Sequence, residues 1–74
     1  MKKLIFVRTK RGQERNVRAI LSAMGFIAKV VPLERVGFNI MAEIETDNEE
    51  EIKQKIADAE KIEGVIEVEK QRAH

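Results

Sequence analysis

The chain has 74 residues, 14 Lys/Arg against 13 Asp/Glu, no cysteine, and one histidine at its last position, His74. That length suits one small domain over residues 1–74 with a modest core. The missing thiols exclude disulfides and thiolate metal sites, and a lone terminal imidazole offers no histidine metal cluster. The apolar run Leu4–Val7 behind "MKK" is too short for a signal-peptide core or a bilayer span, so a soluble, cytoplasmic protein with no membrane contact is expected.

The charge is unevenly spread. Residues 1–37 carry nine Lys/Arg and two acids, Glu14 and Glu34, for a net of +7; residues 38–74 carry five Lys/Arg and eleven acids, for a net of −6. Such blocks either steer an anionic partner to one side or neutralise each other, within a chain or between chains. A charged fraction of 36% with no Cys or Trp fits a thermophile.

In chain order, "KKLIFVRT" (Lys2–Thr9) is rich in β-formers and ends at the polar "KRG", which predicts a strand. From Gly12 the apolar residues Val17, Ile20, Leu21 and Met24 fall at i, i+3, i+4 and i+7, the stripe of a helix. Gly12 is its expected N-cap and Gly25 its expected C′ residue. "FIAKVV" (Phe26–Val31) reads as a second strand stopped by Pro32, with "LERVG" as a connection.

In "FNIMAEIE" (Phe38–Glu45), Phe38, Ile40, Ala42 and Ile44 share one face of a third strand, and Asn39, Met41, Glu43 and Glu45 the other. "TDNE" fits a capping box with Thr46 as N-cap and Glu49 reaching back. The helix behind it has an Ile52, Ile56, Ala59 stripe and i,i+4 pairs Glu49–Lys53 and Glu51–Lys55. Gly64 ends the connection to a last strand, "VIEVEKQ" (Val65–Gln71). The order β-α-β-β-α-β predicts an α+β, ferredoxin-like fold, a four-stranded antiparallel sheet with two helices on one face. Its expected core is the helical stripes with Leu4, Phe6, Ile40, Ile44, Ile66 and Val68, leaving Ile5, Val7 and Met41 on the second sheet face.

Little here suggests catalysis. Ser22 lies mid-helix without a histidine nearby in sequence, Glu49–Glu51 are explained by capping and solvation, and Gly12 has no Gly-rich phosphate loop around it. No catalytic residue, cofactor or metal is expected. Base stacking on the sheet is disfavoured as well, because the third strand lacks further aromatics and sets Glu43 and Glu45 where phosphates would pass.

Cations gather instead at the first strand–helix junction. Arg11, Arg15 and Arg18 are spaced i, i+4, i+7, and Arg8 and Lys10 extend the cluster toward the strand. They form either an anion-binding face, for nucleic acid above all, or the solvated side of an ordinary helix. Cations at a helix start oppose its dipole, so Glu14, the acidic second helix or a partner must compensate.

"IFVRTKRGQERNV" resembles the opening of the N-terminal (NGN) domain of NusG-type transcription elongation factors, through Arg8, Thr9, Gly12, Gln13 and Glu14. "GFNIMAEIETDNEEEIKQKI…IEGVIEV" extends the likeness through Gly37, Phe38, Glu43 and Gly64, with the archaeal branch most similar. The resemblance implies docking on the clamp coiled coil of RNA polymerase through an apolar depression to which Phe38, with Val36 beside it, contributes. It also implies that Arg8–Arg15 lie near nucleic acid, and that this chain is a stand-alone form without the family's KOW domain. A second reading is an ACT-like regulatory or oligomerisation domain that pairs edge-to-edge or sheet-to-sheet and binds a small ligand; a homodimer favours this reading and a monomer the polymerase-type module.

Overall fold

The computed structural model describes residues 2–35 and 37–70. Its elements are β1 (Lys2–Thr9), α1 (Glu14–Ala23), β2 (Ile27–Arg35), β3 (Phe38–Glu45), α2 (Glu49–Glu60) and β4 (Val65–Lys70). The strands form one sheet in the order β2-β3-β1-β4, every neighbouring pair antiparallel. This is the ferredoxin-like α+β fold.

Register decides the core. Ile5 lies opposite Ala42 and Val7 opposite Ile40, so the odd residues of β1 share a face with the even residues of β3. Ile5, Val7, Ile40, Ala42 and Ile44 are buried with Val17 and Leu21 of α1 and Ile52, Ile56 and Ala59 of α2. Each fully buried Ile, Leu or Val contributes about 1.5–3 kcal/mol relative to an exposed one. Both helices therefore pack on one face of the sheet.

This corrects the expected core in three places. Leu4 and Phe6 are half-buried on the face away from the helices, and Ile5 and Val7 take the interior. In β4, Glu67 lies opposite Arg8 but Val65 lies opposite Thr9, so the ladder bulges at Ile66. Val65 and Val68 thus pack on the core while Ile66 is 51% exposed. Ile20 is 39% exposed on the rim of the α1 stripe.

Element ends also shift. β2 continues through Pro32, opposite Ile40, because an edge strand has one unpaired side on which a missing N–H costs nothing. The N-cap of α1 is Gln13 rather than Gly12. At its other end Gly25 is not left-handed; Phe26 takes φ +66° instead, its carbonyl accepting from the Glu45 N–H at 2.8 Å. The Lys55 ammonium stands 5.7 Å from the Phe26 ring centroid, a cation–π contact that helps offset the strain. Helix α2 is capped by Asn48, whose Oδ1 accepts from the Glu50 N–H at 2.9 Å, while Thr46 Oγ1 accepts from the Asn48 N–H. Lys53 pairs with Glu50 and Lys55 with Asp58, in place of the expected i,i+4 partners.

Two glycines join the β1–α1 and α2–β4 turns. Gly12 has φ +85° and Gly64 φ +99°, both in the left-handed region. Gly64 is buried, its carbonyl accepts from the Lys10 N–H at 2.7 Å, and a Cβ built on it would stand 2.8 Å from Gln13 Cβ. Gly64→Ala should therefore destabilise the protein by about 2 kcal/mol, through strain plus overlap. Gly25→Ala, with nothing within 4 Å and no positive φ, should stay within about 0.5 kcal/mol of wild type. Urea midpoints of the two variants measure the contrast.

Candidate functional site

Two surfaces remain once the core is assigned. The first is the basic corner where β1 runs into α1. Arg8 is exposed at the end of β1, opposite Glu67. Lys10 and Arg11 are exposed in the turn, and Arg15 is exposed in the first turn of α1. Arg11 thus lies before the helix, and the expected single helical face of Arg11, Arg15 and Arg18 does not form. Arg18 is set apart by its charge partner, with Nε 3.1 Å from Glu14 Oε1. That Nε is shielded from solvent and makes no aligned hydrogen bond, so the contact is an ion pair only. Among the described residues Lys10, Arg11 and Arg15 make no ion pair.

The corner is held by a side chain the sequence analysis passed over. The β1–β3 ladder ends at Val7↔Ile40, and beyond it Asn39 takes over. Its Oδ1 accepts from the Thr9 N–H at 3.1 Å and its Nδ2 donates to Thr9 Oγ1 at 2.8 Å. Thr9, 7% exposed, is the buried polar residue of the described chain. Asn39 therefore fixes the point from which Lys10 and Arg11 depart.

The second surface is the sheet face opposite the helices. Cross-strand partners share a face, so Val31, Met41 and Phe6 lie side by side across β2, β3 and β1, with Leu4 next along β1. All four are half-buried. Phe38 joins them: its ring meets that of Phe6 edge to face at a centroid distance of 6.5 Å. The expectation that alternation places Phe38 in the core is corrected here, because β3 loses its regular pairing with β1 beyond Ile40. Val36, its expected companion, lies outside the described residues. Charges rim the band. Lys2 Nζ lies 3.9 Å from Glu43 and 3.8 Å from Glu45, and Lys29, Arg8, Glu67 and Glu69 stand on the same face by register.

On this face Leu4 and Phe6 are the residues expected in the core, and nothing in "FIAKVV" fixes which way Val31 faces. Within the continuous run "LIFV" either pair can face inward, so periodicity alone gives no signal there. Among the described residues no group of three acids or histidines is placed to hold a metal, and no helix is long and apolar enough to cross a membrane.

No family model matches the chain, and no curated protein matches it. Solved structures similar to it include the two that follow. The crystal structure of FFRP-DM1 superposes with a TM-score of 0.87 at 22% identity, covering 99% of this chain and 97% of that one. A hypothetical protein, PHS023 from Pyrococcus horikoshii, superposes with a TM-score of 0.83 at 21% identity, covering 95% and 84%. At these identities the likeness shows the fold alone.

Replacing Asn39 by Ala would strand the Thr9 N–H and hydroxyl in a nearly dry position. A loss of about 1–3 kcal/mol is expected, with faster amide exchange at Thr9 and Lys10 by NMR.

Proposed function

We propose that this chain is a non-enzymatic pairing module of the ACT-like regulatory or oligomerisation kind, which associates with a second copy through its open sheet face. The observation that carries this reading is the band of Leu4, Phe6, Val31 and Met41 on the face that neither helix covers. A sheet gains by burying a second apolar face against another layer. Both signs of charge surround the band, with Lys2, Arg8 and Lys29 against Glu43, Glu45, Glu67 and Glu69. A surface of mixed sign repels neither itself nor a like copy, whereas a strongly charged partner finds no excess to bind there. An isologous two-fold pair is the simplest closed assembly of such a surface.

Sedimentation equilibrium tests the proposal. The wild type is expected at twice the chain mass at micromolar concentration, and Met41→Lys, placed in the band, is expected at the chain mass with its circular dichroism retained. A wild type that stays monomeric at 100-fold higher concentration would overturn it.

A second reading rests on the basic corner: Lys10, Arg11 and Arg15, exposed and without ion pairs among the described residues, suit phosphate. It corresponds to the elongation-factor resemblance, with nucleic acid at the corner and RNA polymerase at Phe38. If these three cations each neutralise one phosphate, binding to a short duplex should weaken with a log–log salt slope of about −3. Arg11→Glu with Arg15→Glu should abolish it in a titration at low salt. A flat salt response would exclude the corner as a nucleic-acid surface.

A further inference from the structure

The open face carries its charges in columns. β2 contributes Lys29, β3 Glu43 and Glu45, β1 Lys2 and Arg8, and β4 Glu67 and Glu69. In the sheet order β2-β3-β1-β4 the signs therefore run plus, minus, plus, minus. Two identical sheets stacked face to face in an aligned packing can be related by a two-fold axis along the strands or by one across them. An axis across the strands lays each column on its own copy, β4 over β4 and β2 over β2, so that like charges face each other. An axis along the strands lays β2 on the second copy's β4 and β1 on its β3, so that every column meets its opposite.

The geometry points to the second arrangement. Resting on the self-pairing reading above, we infer that two copies of this chain pair face to face about a two-fold axis parallel to the strands, Lys29 of each copy approaching Glu69 of the other. The in-sheet neighbours repeat across the interface: Phe6 lies over Met41 of the second copy, as it lies beside Met41 in its own sheet, and Lys2 lies over Glu45. Electrostatic complementarity of this kind selects orientation among apolar pairings of similar area. It also has a consequence for the basic corner, since an axis along the strands leaves both strand–helix turns at the same end of the pair.

Lys29 and Glu69 make the test clean. They stand on the two edge strands, three strand spacings or about 14 Å apart within one sheet, too far for an ion pair in one chain. Any coupling between them must cross the interface, and only β2-over-β4 stacking provides it. Lys29→Glu and Glu69→Lys should each raise the dimer dissociation constant about fivefold at low salt, and the double exchange should return it to near the wild-type value. Both positions are exposed, so each variant is expected to fold, as circular dichroism would check. A dimer in which the two effects simply add would overturn the axis while leaving the self-pairing proposal standing; a monomeric wild type would overturn both. A spin label at Lys10→Cys, in a chain with no other cysteine, gives a reading independent of charge. An axis along the strands sets the two labels at the same end of the pair, roughly 10–20 Å apart, which is the expected result. An axis across them sets the labels at opposite ends of the eight-residue β1, on the order of 25–30 Å apart, and that distance would overturn the proposed axis.

Discussion

The antiparallel register that sets Ile5 opposite Ala42 and Val7 opposite Ile40 is the constraint from which the rest of the molecule follows. Side chains alternate along a strand, so a slip of one residue would exchange the two faces of β1 entirely. With the observed register Ile5 and Val7 meet the apolar stripes of both helices, and Leu4 and Phe6 are left to the other side. The same pairing sets Met41 and Val31 beside Phe6, because β3 transmits its register to β2. Core and candidate surface are thus two outcomes of one alignment. The Asn39–Thr9 hydrogen bonds mark where that alignment stops and the β1–α1 turn begins.

The fold was legible because each element carries a local signal of its own: the helical stripe at Val17 and Leu21, the alternation of Phe38–Glu45, and the glycines between elements. The facing of β1 was not. "LIFV" is apolar on both sides, and the register that chooses between them is a long-range fact that a window of residues does not contain. Ile66 was misplaced for a related reason, since a bulge shifts the count by one without any mark in "VIEVEK". Phe26 shows the opposite failure. Gly25 offers the easier left-handed residue, yet the chain uses Phe26 there, where the Glu45 N–H and the Lys55 ammonium meet it. Tertiary contacts outweigh a local preference of order 1 kcal/mol at such a position.

The arginine-rich turn divides in the same way between fold and surface. Gln13 packs against Gly64 and the Lys10 N–H donates to the Gly64 carbonyl, so the α2–β4 turn closes on the start of α1, while Gly12 serves the turn through its positive φ; these are demands of the fold that need no ligand. Glu14 is drawn into the same structural role by Arg18, and by its place in the first turn of α1 it suits the helix dipole. What stays outside this junction are the side chains of Lys10, Arg11 and Arg15. Their position near a rigid corner, rather than along a helical face, gives them a compact footprint, and the fold places no demand on their charge.

The uneven charge of the two halves of the chain acquires a physical meaning from the sheet order. β1 and β2 come from the basic half, and β3 and β4 from the acidic half. Side-by-side packing in sequence order would have produced a sheet with one positive and one negative edge. The order β2-β3-β1-β4 interleaves the halves instead, so each basic strand lies against an acidic one, as the contacts of Lys2 with Glu43 and Glu45 illustrate. Interleaving removes like-charge repulsion between neighbouring strands, worth a few tenths of a kcal/mol per pair. It also makes the pattern antisymmetric about the line between β3 and β1. An antisymmetric pattern is complementary to its own image under rotation about that line, so the sheet order that neutralises the chain internally is also the physical basis of the self-pairing proposed above.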